Sequence, residues 1–161
     1  MAYIEVDVAK QMLRLSERQG GSPLWEAAIA TAKNGVGEQY GSYQTPRGRH
    51  VIRAKIGHGA PRNGAFVGRR LTGELYSPAL RQVYPKRDWI LTRILWLSGL
   101  EIGKNRLGTV DTMRRYIYVH GAPDEDAMGV ASSHGCIKMR NDDILFLFDK
   151  VEVGTEIHII A

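Results

Sequence analysis

One cysteine, Cys136, stands among 161 residues. An internal disulfide is therefore impossible, and nothing in the chain requires an oxidising compartment. No apolar stretch approaches the roughly 18 residues of a membrane-spanning helix. The stretch 89–100 is interrupted by Thr92, Arg93 and Ser98, so no membrane association is expected. The opening residues 1–8 lack a basic start, an apolar run and a small-residue cleavage site. A secretory leader is thus not expected, and a cytoplasmic location is. Repeats, low-complexity tails and linkers are absent as well, which leaves a single domain over residues 1–161. Acidic residues are missing from Gln39 to Gly73, a stretch that holds Arg47, Arg49, Arg53, Lys55, Arg62, Arg69 and Arg70. That stretch reads equally as a guide for a polyanionic peptide and as a solvated basic face.

What is present is an ordinary soluble composition, 43% apolar and 24% charged. Eighteen glycines imply many turns and favour strands over a helical bundle. A net charge of +5 attracts anions without naming them. No module interleaving aromatic and basic residues supports nucleic acid. Alternation over Ile4–Val8 and the apolar residues Met12 to Leu15 predict a hairpin, and 25–32 reads as a strand. Residues 33–49 have loop chemistry, and 51–56 resume alternation. Phe66–Gly68, Trp89–Thr92, Tyr116–Val119, Ile137–Met139 and Glu156–Ile160 are further expected strands. A short helix is expected over 77–83, capped by Ser77 with Pro78 in its first turn. A second is expected from Asn141 as cap, with Asp142 and Asp143 in the first turn and an apolar face of Ile144, Leu145, Leu147 and Phe148. The reading is a mainly β domain with one or two short helices.

The lone cysteine lies two residues after His134 and sixteen after His120. A thiol attacks as its thiolate, and a neighbouring histidine is the usual way to generate one near neutral pH. Cys136 is therefore the candidate nucleophile, against its alternative as a small buried hydrophobe. His120, at a strand end, is the candidate general base, with a backbone carbonyl to orient it because no acidic or amide residue clearly claims that role. Gly135 lets the backbone approach a substrate, and its N–H and that of Cys136 are natural donors to an oxyanion. His134 is expected to orient the site, assist the thiolate or line the oxyanion hole. Ser133 is a turn-forming hydroxyl or a substrate contact. A zinc site of His120, His134 and Cys136 has too few ligands for the tetrahedral pattern, so neither metal nor cofactor is expected. His50, His58 and His158 read as surface or structural, and Tyr40, Tyr43, Trp89 and Trp96 as core or loop packing.

His120-Gly121 followed after residue 132 by Ser133-His134-Gly135-Cys136 closely resembles the active-site signature of the L,D-transpeptidase (YkuD-like) family. Ile4-Glu5-Val6-Asp7 through Leu13-Arg14-Leu15 resembles its first hairpin, Thr45-Pro46-Arg47-Gly48 its Thr-Pro-x-Gly turn, and Asn141-Asp142-Asp143 its helix start. Two departures are a shorter gap between His120 and Ser133, and Lys138 where an arginine is frequent, with Arg140 beyond it. The resemblance implies a β-sandwich and cysteine acyl transfer on peptidoglycan stem peptides. The thiolate would attack the carbonyl of the third residue and expel the terminal D-alanine. Gly121, Tyr118, Ser133, Lys138 and Arg140 would be the substrate-binding residues, and a carbapenem, as a β-lactam, would form a covalent adduct with the thiol. With no leader in view, hydrolysis of a soluble muropeptide (an L,D-carboxypeptidase) is expected ahead of transfer to an amine to form 3→3 crosslinks. A noncatalytic peptidoglycan-binding module is the reading from another class, and oligomeric state is left open.

Overall fold

The computed structural model describes residues 2–161. Strands β1 (Tyr3–Asp7) and β2 (Met12–Ser16) form the expected hairpin. Their alternation turns Ile4, Val6, Leu13 and Leu15 into the core. The remaining elements in chain order are β3 (Trp25–Ala30), β4 (Gly48–Ile56), β5 (Gly64–Val67), β6 (Arg70–Leu75), α1 (Pro78–Val83), β7 (Ile90–Gly99), β8 (Tyr118–Ala122), β9 (Ile137–Arg140), α2 (Asn141–Lys150) and β10 (Glu156–Ile160). All ten strands belong to one hydrogen-bonded system in the order β4-β10-β1-β2-β3-β9-β8-β7-β5-β6. Strand β4 also pairs with β7, so eight strands close on themselves and the β5–β6 hairpin hangs from the first half of β7. The fold is mainly β, as the composition implied.

The closed system surrounds one apolar cluster that includes Ile4, Leu13, Ile29, Ile52, Leu95 and Ile157. Helix α2 adds Ile144, Leu147 and Phe148 to it. Burying each such side chain contributes roughly 1.5–3 kcal/mol. The β8–β9 pairing is parallel, with Val119 opposite Ile137. This register sets His120, at the middle of β8, opposite Lys138, two residues along from Cys136, which lies just before β9.

Four local differences from expectation have physical causes. Strand β7 runs on to Gly99, because a bulge between Leu91 and Ile94 shifts the inward phase and hides the alternation. Thr92, inside that bulge, sits at φ +74°, a left-handed conformation costly for a β-branched residue. Strand β6 is almost wholly exposed, so it carries no apolar period to read. Strand β8 starts at Tyr118 rather than Tyr116, which adopts φ +57°. Asn141 does not cap α2 but is its first residue, buried, with Arg140 at the cap position and no side-chain cap bond. Its amide is used elsewhere: it accepts from Thr92 Oγ1 (2.6 Å) and donates to Asn63 Oδ1 (2.8 Å) and Asp124 Oδ1 (3.1 Å). Helix α1, by contrast, has the expected cap, with Ser77 Oγ accepting from the Leu80 N–H and proline in its first turn.

Candidate active site

Cys136 and His120 share the wall of an open cavity of about 470 Å³ at the end of the β8–β9 pair. The sulfur is half-buried. It accepts from the Tyr118 N–H at 3.3 Å and gives its proton to the Tyr116 carbonyl at 3.4 Å. The left-handed turn at Tyr116 is what points that carbonyl at the thiol. Aromatic residues in this region of φ/ψ space are uncommon, and such conformations persist where the surroundings hold them.

His120 is buried, and its Nδ1 lies 2.6 Å from the Gly121 carbonyl. A carbonyl can only accept, so Nδ1 carries the proton and Nε2 keeps its lone pair. Nε2 makes no hydrogen bond among the described residues, and the ring lines the cavity with Cys136. The carbonyl anticipated as the orienting group is thus the one in the next residue. Gly121 serves by packing too: a Cβ there would lie 2.6 Å from Asn141 Oδ1 and from the Leu91 carbonyl. Its predicted role as a substrate contact has no support, since it is buried and outside the cavity lining.

Burial pushes the Cys136 thiol up to about 12, a rise to which the Asp88 carboxylate adds. The Tyr118 N–H and the Arg115 guanidinium oppose it. Burial also pulls His120 below the ordinary histidine value, against Asp88 and the Gly121 carbonyl and with Lys138. Both directions favour the uncharged forms. The desolvation that shapes the pocket penalises both charges, which suits the neutral general base expected of His120.

The nucleophile loop is held from behind. Ser133 Oγ accepts from the Gly135 N–H (3.2 Å) and donates to the Cys136 carbonyl (2.5 Å). The Gly135 N–H is therefore already engaged, and from the expected oxyanion pair the Cys136 N–H is the donor left. Gly135 itself sits at φ +134°, and a Cβ would press on Ile117 at 3.2 Å. Its carbonyl accepts from Thr45 Oγ1 (2.9 Å), which in turn accepts from the Ala32 N–H (2.9 Å). The Thr-Pro-Arg-Gly turn thus acts as a buried clamp on the loop that presents the thiol.

The other expected residues separate. Tyr118 and Ser133 line the cavity. His134 sits on its rim, its side chain 69% exposed and its Nδ1 3.9 Å from Asp88 Oδ2. Lys138 points into a neighbouring depression of about 410 Å³ and pairs with Asp126 at 3.5 Å. Arg140, on the same face of β9 as Lys138 but at the end of the strand, is exposed and lines neither space. Asp88 and Arg115 are cavity residues that the sequence did not point to, and Arg69 is the member of the basic stretch that reaches the cavity. Asp88 has no motif around it, and Arg115 is one of many arginines in the chain. The basic stretch disperses: Arg47 pairs with Glu38, Arg49 with Glu156, and Arg62 with Asp124 and Asp142. Among the described residues, no cluster of three or more His, Cys, Asp or Glu side chains is arranged to hold a metal ion. No helix among them is long and apolar enough to cross a membrane.

Comparison with known proteins points one way. The model of the L,D-transpeptidase catalytic domain (YkuD) matches residues 1–159. The probable L,D-transpeptidase ErfK/SrfK of Salmonella typhimurium is 48% identical over 128 residues, covering 73% of this chain and 40% of that protein. The probable L,D-transpeptidase YbiS of Escherichia coli K12 is 46% identical over 46 residues, 29% of this chain and 15% of that protein. The chain thus spans 40% or less of the length of these curated relatives. Among solved structures, L,D-transpeptidase 3 from Mycobacterium tuberculosis with a faropenem-derived adduct superposes with a TM-score of 0.59. That match covers 99% of this chain and 60% of the other at 15% identity, a likeness of fold.

Proposed function

The chain belongs to the L,D-transpeptidase catalytic-domain family, and from that premise we propose that it is a cysteine acyl-transfer enzyme acting on peptidoglycan tetrapeptide stems. The observation that carries the reading is the shared cavity of Cys136 and His120, with the imidazole lone pair left free by the Gly121 carbonyl. A neutral thiol needs its proton removed as it attacks, and His120 Nε2 is the group available to take it. The sulfur bonds to the carbonyl carbon of the third stem residue, and the Cys136 N–H supports the oxyanion. Collapse breaks the bond to the terminal D-alanine, whose amine leaves with the proton from His120. The thioester that remains is then attacked by an amine or by water, which returns the proton and restores the thiol.

Transfer to an amine is the reading the surroundings favour. Two further depressions meet the nucleophile cavity at His134, one of about 220 Å³ lined by Tyr40 and Tyr43 and one of about 410 Å³ lined by Arg87 and Lys138. Two approaches to one thiol suit a donor and an acceptor peptide. The open face also admits water, which supports the second reading, an L,D-carboxypeptidase that trims soluble muropeptides in the cytoplasm.

A disaccharide-tetrapeptide incubated with the protein, with and without an added amine and followed by mass, tests both. Dimers or exchanged D-amino acids support transfer, and tripeptide alone supports hydrolysis. Unimpaired turnover by Cys136→Ala would sink the covalent step in either form. A wild type that binds the stem but yields no product would leave only a peptidoglycan-binding role for the domain.

A further inference from the structure

Arg69 occupies the tip of the β5–β6 hairpin. Gly68 and Arg69 both have positive φ, +55° and +65°, the tight two-residue turn in which the backbone twist suits an antiparallel pair. The turn folds the arginine back over the sheet instead of releasing it to solvent. Its guanidinium carbon stands 4.6 Å from the ring centre of Trp96 and 4.8 Å from that of Tyr116. Nη1 donates to the Tyr118 hydroxyl at 3.0 Å. A long, flexible side chain is thereby held in one place, which removes most of the ordering cost of binding through it.

This fixed cation faces the cavity that holds Cys136 and His120. No carboxylate pairs with it among the described residues, whereas Arg47, Arg49, Arg62 and Arg87 are all paired. The other guanidinium in the cavity is committed, with Arg115 donating to the Gly37 and Gln44 carbonyls and to Ser42 Oγ. The one acid in the lining, Asp88, lies near His134. One of the five N–H groups of Arg69 is used, and the remainder form a planar fork suited to a carboxylate.

We infer that Arg69 is the carboxylate receptor of this site, the residue that selects a stem peptide by one of its free carboxylates and seats it beside Cys136. The inference rests on the acyl-transfer reading. Any carboxylate of the stem supplies the same chemistry, whether on the third residue's side chain, at the terminal D-alanine or on the second residue. The fork reads geometry and charge together, so a lysine would restore charge but not the bidentate fit.

The test uses a disaccharide-tetrapeptide with a diaminopimelate third residue, and three versions of it amidated singly at each stem carboxylate. Turnover is followed with the wild type, Arg69→Gln and Arg69→Lys. Binding is followed by calorimetry in the Cys136→Ala background with and without Arg69→Gln. The wild type is expected to lose about 10- to 100-fold in kcat/KM on amidation of one carboxylate, which identifies the source. Arg69→Gln is expected to lose the same factor on the native substrate, chiefly in KM, and to treat that amidated version and the native one alike. Arg69→Lys is expected to fall between. A merely structural role, exerted through Tyr118, would slow every substrate equally and leave the discrimination intact. Discrimination that survives in Arg69→Gln, or a wild type indifferent to all three amidations, overturns the inference. A wild type with no turnover of any stem, or a Cys136→Ala variant with normal turnover, overturns the acyl-transfer reading instead, and the calorimetry still decides Arg69.

Discussion

At neutral pH Cys136 holds its proton. With the thiol pushed up to about 12, the thiolate fraction rises about tenfold for each pH unit throughout the working range. Alkylation of Cys136 by iodoacetamide is therefore expected to climb from pH 7 to pH 9.5 without a plateau, measured by intact mass against time. A plateau below pH 8 would show an ion pair at rest and contradict the electrostatics of the pocket. His120, lowered by burial, stays neutral to a pH below the ordinary value for histidine, so the acid limb of kcat/KM is expected below about 6.5. Replacing it with alanine is expected to cost about 10²–10⁴ in kcat/KM, read in the same mass-based assay. The two residues were legible from their types and spacing alone. Their ionisation was not, because it depends on how much protein surrounds them.

Elements position this pair more than neighbours in sequence do. The β8–β9 register sets His120 beside the start of β9, and Thr45 holds the loop that carries Cys136, through Gly135, from ninety residues away. Thr45→Ala leaves the buried Ala32 N–H and Gly135 carbonyl without partners. It is expected to lower stability by about 1–3 kcal/mol and kcat/KM by about 10²-fold, with Thr45→Ser recovering most of both. Denaturant melts and turnover of the two variants check this. The Thr-Pro-Arg-Gly turn was visible in the sequence, but not that its threonine reaches the catalytic loop. On β4, buried His50 donates from Nδ1 to the Gly48 carbonyl and accepts from Thr112 at Nε2. Burial lowers it to about 4 from 6.5. The unfolded chain binds a proton there before the folded one does, so stability is complete above pH 6.5 and falls as pH drops towards 4. The loss is about 3 kcal/mol, at 1.36 kcal/mol for each tenfold in proton affinity. Urea unfolding between pH 7.5 and 4 is expected to show that slope, and His50→Asn to flatten it.

Across the whole molecule, the last strand completes the closed sheet. Strand β10 lies between β1, with which it is parallel, and β4, with which it is antiparallel. Ile157 and Ile159 are buried in the shared core. Removing it would open two strand edges at once and expose that core. A chain ending at Gly154 is expected to show no cooperative thermal transition by circular dichroism, whereas removal of Ala161 alone is expected to be silent. Accessibility of the thiol is likewise a property of the whole surface. A carbapenem is expected to add its mass to Cys136 and to leave Cys136→Ala unmodified.

Sequence by itself determined the mainly β class, most of the strands, the capped α1, and which cysteine and histidine are the candidate nucleophile and base. These are local matters: residue type, alternation and short spacing carry them. It left β6 and the length of β7 unread, since an exposed edge strand has no apolar period and a bulge breaks the one that exists. Asn141 looked like a cap because caps are made by such residues, yet a buried polar cluster claimed its amide. Only the tertiary structure decided which of many arginines faces the thiol, which carbonyl sets the imidazole tautomer, and that the pair rests uncharged. Each of those depends on groups far apart in the chain being brought within a few ångströms and taken out of water together.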